Sequence, residues 1–261
     1  MPCLRSPFLV DVICLQEVTR DYLHAILAAA YFRDGRWLIS DITGSSCEPH
    51  GTIVLSRFPL KSLFQWSFPT SMFRVGYIAK ISLDGTELAI ATAHLESLNN
   101  ASVRIEQLNI LATKLSVSKN ALIMGDFNMD ARSNYSDVEK VRERRNTEST
   151  FTIRDLAVDQ SALEDNLVKE VLSEYTDVWP QLHGEEPGYT RDSETNAIIT
   201  DGYEQVRIDR VFAKLDQAAY EVVAMERVGL EPFEVLAEDG NKIHMNCSDH
   251  YGLVVTLKAT Q

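Results

Sequence analysis

One stretch constrains the fold more than any other: Ala121-Leu-Ile-Met-Gly-Asp-Phe-Asn-Met-Asp130, in which a short apolar run breaks at Gly125 and delivers Asp126 and Asn128 together. A run of this length reads as a buried strand. Strand side chains alternate in direction, so Asp126 and Asn128 are expected to project together from the strand's carboxyl end. A carboxylate beside a carboxamide suits a hard cation or an activated water. Gly, Asp and Asn are also ordinary turn residues, so the same string reads equally well as a turn, and partners elsewhere in the chain must decide.

Those partners come from other strand ends. Leu9 to Val18 is rich in β-branched residues and ends in Gln16-Glu17, a strand with a carboxylate at its tip. A helix is expected over Thr19 to Ala30, with Thr19 or Asp21 as cap. Strands follow at Gly51 to Arg57, Ser62 to Phe68, Arg74 to Leu83 and Glu87 to His94, with Asp84-Gly85 as a hairpin turn. Ala101 to Leu115 places Val103, Leu108, Leu111 and Leu115 on one stripe, an amphipathic helix that leads into the Asp126 strand. From residue 131 to 175 the composition shifts to charge, as in Val138-Glu-Lys-Val-Arg-Glu-Arg-Arg145, and reads as a charged, solvated insertion. A short helix is expected at Asp177-Val-Trp179. Further strands are expected at Gln205 to Lys214, with Arg207, Asp209 and Val211 on one face, at Tyr220 to Val228, and after Ser248-Asp249-His250.

The chain has 261 residues and is 45% hydrophobic, enough for a single domain over 1–261 with a substantial core. There is no apolar run of about 18 residues and no signal-peptide pattern, which predicts an intracellular protein, nuclear or cytoplasmic, that is neither secreted nor bound to a membrane. Cys3, Cys14, Cys47 and Cys247 form no C-x-x-C pair and read as reduced thiols. A formal charge of −13 argues against a broad basic surface wrapping duplex nucleic acid, though not against a local basic groove or a metal that neutralises phosphate.

Four pieces then converge at strand ends: Glu17, His94 with Ser97, Asp126 with Asn128, and Asp249 with His250, with Asp209 on a neighbouring strand as the orienting partner of His250. Phosphodiester cleavage needs this inventory: a carboxylate for a hard divalent ion, a group to activate water, and imidazoles against charge developing on phosphate. His24, His50, His183 and His244 lie in no motif and read as surface residues.

Leu15-Gln-Glu17, Thr92-Ala-His-Leu-Glu-Ser97, Gly125-Asp-Phe-Asn128, Arg207-Ile-Asp-Arg-Val-Phe212 and Ser248-Asp-His250 resemble, in order and rough separation, the motifs of the endonuclease/exonuclease/phosphatase superfamily, which includes deoxyribonuclease I. The His-Leu-Glu-Ser, Asp-Val-Trp, Gly-Tyr-Thr and Arg-Ile-Asp-Arg-Val-Phe strings look most like its 5′-tyrosyl-DNA phosphodiesterase branch. The resemblance implies an α/β fold of two packed, mainly antiparallel sheets flanked by helices, a four-layer α/β/β/α sandwich with the site at one end. It implies Mg²⁺, or Mn²⁺ in its place, held by Glu17 and supported through water by Asp249. Asp126 would activate the attacking water and Asn128 would position water and phosphate. His94 and His250 would contact the scissile phosphate, Ser97 would lie near it, and Asp209 would orient His250.

Two departures bear on substrate. Where that branch has an arginine two residues after the asparagine, this chain has Asp130, with Arg132 out of register. The aromatic that follows Tyr-Thr is replaced by Arg191. The expected activity is a monomeric Mg²⁺-dependent phosphodiesterase whose substrate is a phosphate ester, with a nucleic acid carrying a 5′-tyrosyl block as candidate. The alternatives are an endonuclease or exonuclease, a small-molecule phosphatase, or a catalytically weakened scaffold. In the superfamily a further strand ending in asparagine precedes the Leu-Gln-Glu strand. No Asn occurs before Asn99, and too few residues precede Leu9 for such a strand, so the first strand and its ligand are expected to be missing, with loss of solubility or activity.

Overall fold

The computed structural model describes residues 10–83, 85–200, 202–236 and 240–260. Expectations on Leu9, Cys3 and Asp84 lie outside them. The chain opens with β1 (Val12–Val18), α1 (Arg20–Ala28), the single turn α2 (Ala30–Arg33) and β2 (Leu38–Ile39). Thr19 caps α1 by accepting the Tyr22 amide at 3.2 Å, which satisfies one of the helix's orphan donors. Next come β3 (Gly51–Ser56), β4 (Leu60–Ser67), β5 (Val75–Leu83), β6 (Thr86–His94), α3 (Ala101–Leu115) and β7 (Ala121–Asp126). The stretch that follows carries α4 (Tyr135–Arg145) and α5 (Glu164–Val171), then β8 (Thr176–Asp177), α6 (Val178–His183), β9 (Arg191–Asp192) and β10 (Gln205–Val206). The chain ends with β11 (Asp209–Lys214), β12 (Tyr220–Val228), the hairpin β13 (Phe233–Leu236) and β14 (Lys242–Met245), and β15 (Gly252–Ala259).

The central sheet has the order β4-β5-β6-β7-β11-β8, with β6 and β7 parallel and the other pairings antiparallel. Its inner strands β5, β6, β7 and β11 are buried on both sides, and their period-two alternation sorts the faces. Ala89, Ala91, Ala93, Ala121, Ile123 and Phe212 face α3 and α5. Leu88, Ile90, Leu122, Val211 and Ala213 face β1, β12 and β15. The far side of β1 and β3 packs on α1 through Val18, Leu23, Ile26, Ile53 and Leu55. Helix, sheet, sheet and helix layers therefore stack in the expected order. Within the second β layer, β1 pairs only with β3 and β15 only with β12 among the described residues, so each keeps one strand edge unpaired.

Several expectations are refined. The stripe on α3 is apolar only in its second half: Arg104 and Gln107 are also buried, because Arg104 makes a bidentate pair with Glu164 and Gln107 accepts the Glu96 amide. The charged stretch 131–175 ends in α5, which sends Val168 and Leu172 into the core beside α3. The strand expected over 205–214 breaks at Arg207-Ile208, because these backbone amides donate to Asp130 Oδ1 and Thr190 Oγ1 instead of to a neighbouring strand. His183 is no surface residue: it stacks on Trp179 at 4.1 Å, and its Nε2 lies 2.8 Å from the Met225 carbonyl. Cys14 and Cys47 are free thiols, whereas Cys247 is disulfide-bonded and departs from the reading of four reduced cysteines. Cys14 lies between the layers near Thr92, and burial pushes its thiol up to about 12 against the opposing hydrogen bond. Among the described residues no helix is long and apolar enough to cross a membrane.

Candidate active site

Strand register builds the centre of the site. His94 ends β6 opposite Asp126 at the end of β7, and Asp126 lies opposite Asp209 at the start of β11, so three ionisable residues from distant segments form one row across three adjacent strands. Gly125 permits that row. It has φ +140°, and a Cβ there would fall 2.1 Å from the Ala93 carbonyl oxygen, so any side chain would push β7 off β6. The strand ends at Asp126, which corrects the expectation of a shared strand face: Asn128 stands beyond it with φ +51°. Its amide nitrogen donates to Asp126 Oδ1 at 2.8 Å and its carboxamide to the Leu95 carbonyl at 2.9 Å. The string is therefore both a turn and part of the site.

His250 joins the row through Asp209, with Nδ1 2.7 Å from Asp209 Oδ2. Buried Thr190 holds these two segments in place. Its hydroxyl accepts the amides of Ile208 and Asp209, both at 3.1 Å, and its carbonyl accepts the Tyr251 amide at 2.7 Å. Ligating atoms of Asp126, Asp209 and His250 lie within 4.8 Å of one another. Burial works against a charged His250, but the carboxylates of Asp209, Asp126 and Asp249 outweigh it and push its pKa up to about 10. Burial likewise works against an ionised Asp126. The His94 hydrogen bond, the charge of His250 and the Asn128 amide outweigh it and hold the carboxyl below its ordinary range.

Arg74, expected only as the start of a strand, reaches His94 from the other side: its guanidinium lies 2.8 Å from His94 Nδ1, and His94 Nε2 lies 3.2 Å from Asp126 Oδ2. A guanidinium only donates, so Nδ1 accepts and the ring proton sits on Nε2, facing Asp126. Burial lowers the pKa of Arg74 against the pull of Asp126, Glu17 and Glu96.

Glu17 reaches the same region by a β-bulge. The β1–β3 register shifts between Leu15 and Val18, and Glu17 takes φ +54°, which re-aims a side chain that would otherwise follow the strand. The Gln16 side chain donates to Thr92 Oγ1 at 3.0 Å and locks this bulge to β6. The carboxylate is largely exposed, 3.9 Å from His94 Nδ1. It lines a cavity of about 70 Å³ together with Glu48, His50, Phe73, Arg74 and His94. His50, expected at the surface, thus faces the site, and nothing in its sequence neighbourhood signals this.

The remaining expected residues divide. Asp249 stands beside the site with Oδ2 2.6 Å from Arg191. Arg191 also bonds Glu204 at 2.6 Å and lies 3.3 Å from His250 Nε2, so the cation at the departing position belongs to the site. Ser97 turns its hydroxyl to Met72 Sδ at 3.0 Å. Asp130 is buried and structural: it accepts the amides of Arg207 and Arg132 and the Ser133 hydroxyl. Arg132 points away, to the Glu185 carbonyl.

The donor set fits a hard ion at one position. The oxygens Asp126 and Asp209 turn to the cluster already accept bonds from Asn128, His94 and His250 and are therefore engaged within the protein. Glu17 offers a carboxylate to open space, as suits Mg²⁺, which retains several waters and takes one or two protein carboxylates.

The chain is similar in structure to D. rerio TDP2 complexed with single-strand DNA product, at 23% identity and TM-score 0.67 over 95% of this chain and 86% of that one. It is similar to a mannosyl-6-phosphatase of Bacteroides thetaiotaomicron at 14% identity and TM-score 0.61, over 95% and 85%. It is also similar to beta toxin of Staphylococcus aureus at 17% identity and TM-score 0.62, over 95% and 87%. No match is found among curated protein sequences. The profile of the Endonuclease/Exonuclease/phosphatase family matches residues 4–250, a span that includes every motif residue of the row, its Asp209–His250 pair and the Glu17 bulge. The chain therefore belongs to the Endonuclease/Exonuclease/phosphatase family, whose members it joins as a phosphoric ester hydrolase.

Proposed function

We propose that the chain is a Mg²⁺-dependent phosphodiesterase, acting as a monomer on phosphate esters with 5′-tyrosyl-DNA adducts as candidate substrate. The observation that carries the reading is the row His94–Asp126–Asp209 with His250 hydrogen-bonded to Asp209. Glu17 would hold Mg²⁺, with Asp249 acting through water; when bound, the ion polarises a phosphoryl oxygen and offsets charge in the transition state. Asp126, kept ionised by its partners, orients water and takes its proton as the oxygen attacks phosphorus. The bond to the leaving oxygen breaks, and that oxygen takes up a proton from solvent. His250, charged and fixed by Asp209, stabilises the equatorial oxygens, and Arg74 sets the His94 tautomer that supports Asp126.

Arg191 favours a second reading inside the same chemistry, a small phosphate monoester. A guanidinium beside His250 suits an anion of higher charge. Turnover of a 5′-tyrosyl oligonucleotide, an abasic duplex and an inositol phosphate, each with Mg²⁺ and with EDTA, tests both. EDTA-sensitive release from the tyrosyl substrate is expected. Selective release from the inositol phosphate would favour the second reading, and no turnover of any substrate with Mg²⁺ or Mn²⁺ would overturn both.

A further inference from the structure

Phe73 is the outlier in the site's surroundings. It is 77% exposed, lines the cavity that also contains Glu17 and His94, and holds φ +60°, a conformation that residues with a Cβ seldom adopt. The strain is imposed by its neighbours. Thr70 and Ser71 are clamped onto Glu96, itself 1% exposed, by the Thr70 hydroxyl at 2.6 Å and by the Ser71 amide and hydroxyl at 2.8 and 2.7 Å. On the other side Arg74 is fixed against His94. Between two anchors the loop has one way round, and it turns an aromatic ring to solvent. The Ser97–Met72 contact ties this loop to the next one, where Leu98 repeats the pattern with φ +62° and 54% exposure. Phe73 thus stands strained and exposed at the cavity that Glu17, Arg74 and His94 also line.

We infer that Phe73 is a specificity-determining residue that stacks on a planar ring carried by the phosphate ester. The cavity sets the position. At about 70 Å³ the cavity is about half the roughly 150 Å³ that encloses a benzene, so the ring lies across the mouth with one face on Phe73 while its phosphate reaches His94. A phenol and a nucleobase share this chemistry. The assignment rests on the phosphate-ester reading and narrows it to aryl or nucleoside esters over alkyl ones.

Calorimetric binding of phenylphosphonate and methylphosphonate in Mg²⁺, which needs no turnover, tests it. Wild-type protein is expected to bind the phenyl compound about tenfold more tightly, the usual scale of one stacked ring. Phe73→Ala should bring the ratio near one without changing methylphosphonate binding, and Phe73→Trp should keep it. Phe73→Gly should lose the preference and raise the melting temperature, since glycine relieves the backbone. A fall in melting temperature would show a ring packed for stability and overturn the assignment. Equal affinities in the wild type, or equal weakening of both ligands by Phe73→Ala, would overturn it while leaving hydrolysis intact; binding of neither would overturn it together with the phosphate reading. Phosphotyrosine and thymidine 5′-monophosphate then name the source, as tighter binding of the first points to a phenol and of the second to a base.

Discussion

Two ionic clusters lie along β11, and they differ in how their charges end. On one side Arg210 reaches Asp165 and Asp177, Arg207 makes a bidentate pair with Asp177, and these two cations and two anions have little exposure, with Lys169 adding a third cation to Asp165 from the surface. On the other, Asp209, Asp126, His94 and His250 are partnered among themselves, and the set ends at His94, which lines a cavity together with the largely exposed Glu17. A closed set of pairs fixes the positions of chain segments, since breaking one strands a buried charge. A set that ends at an open boundary can take up a ligand. Sequence motif alone does not separate the two, for Asp209 and Arg210 are adjacent in one string.

The contrast predicts opposite failures. Asp126→Asn should lower turnover by roughly 10²–10⁴ with the fold retained and a smaller loss of stability than Arg210→Ala, since a base acts mainly in the transition state. A collapse of the fold at normal rate per folded molecule would reverse the assignment of the two clusters. Arg210→Ala should cost about 3–5 kcal/mol in urea unfolding while leaving kcat per folded molecule near wild type. Next in size, Glu17→Gln should weaken Mg²⁺ binding, read by calorimetry, and metal-dependent turnover by at least about 100-fold, because charge is removed without change of shape. Equal Mg²⁺ affinity would sink its role as the ligand.

The smallest effects concern the Asp209–His250 pair. Asp209→Ala should cost less rate than His250→Ala, and the double variant should be little worse than His250→Ala alone, because the two act as a unit. Independent, multiplying losses would break the pairing. His250 titrates at 6.5 when unpaired and at about 10 in the fold, so its stabilisation is complete below pH 6.5 and is lost as pH rises to about 10. Asp126 has the opposite sign: its contribution is present above the ordinary carboxylate range and disappears as pH falls through its lowered value. Chemical denaturation between pH 6 and 10 should therefore show a decline in the wild type that Asp209→Asn flattens.

What was legible in the sequence follows from range. The α3 boundaries and the strands ending at His94 and Asp126 rest on local period and turn chemistry, and the motifs Glu17, Asp126, Asp209 and His250 are strings of a few residues. Arg74, His50 and Thr190 were not visible in their roles because each depends on a partner distant in the chain: Arg74 on His94, His50 on the Glu17 bulge, Thr190 on two segments at once. Arg191 was visible as a departure, but its attachment to Asp249 and Glu204 required the fold. The break at Arg207-Ile208 escaped because a side-chain acceptor, Thr190, replaced the ladder that alternation assumes.

The inward-facing thiol of the half-buried Cys14 gives the second β layer a built-in clock. With its pKa at about 12, almost none of it is thiolate at neutral pH, so an alkylating reagent must wait until β1 lifts from Thr92. β1 has a partner on one side alone among the described residues, so that lifting breaks a single ladder. Once alkylated, the strand can no longer seat against β6, and each opening becomes a covalent, irreversible count. The rate at which the Cys14 peptide gains mass would then report how often this edge of the molecule breathes.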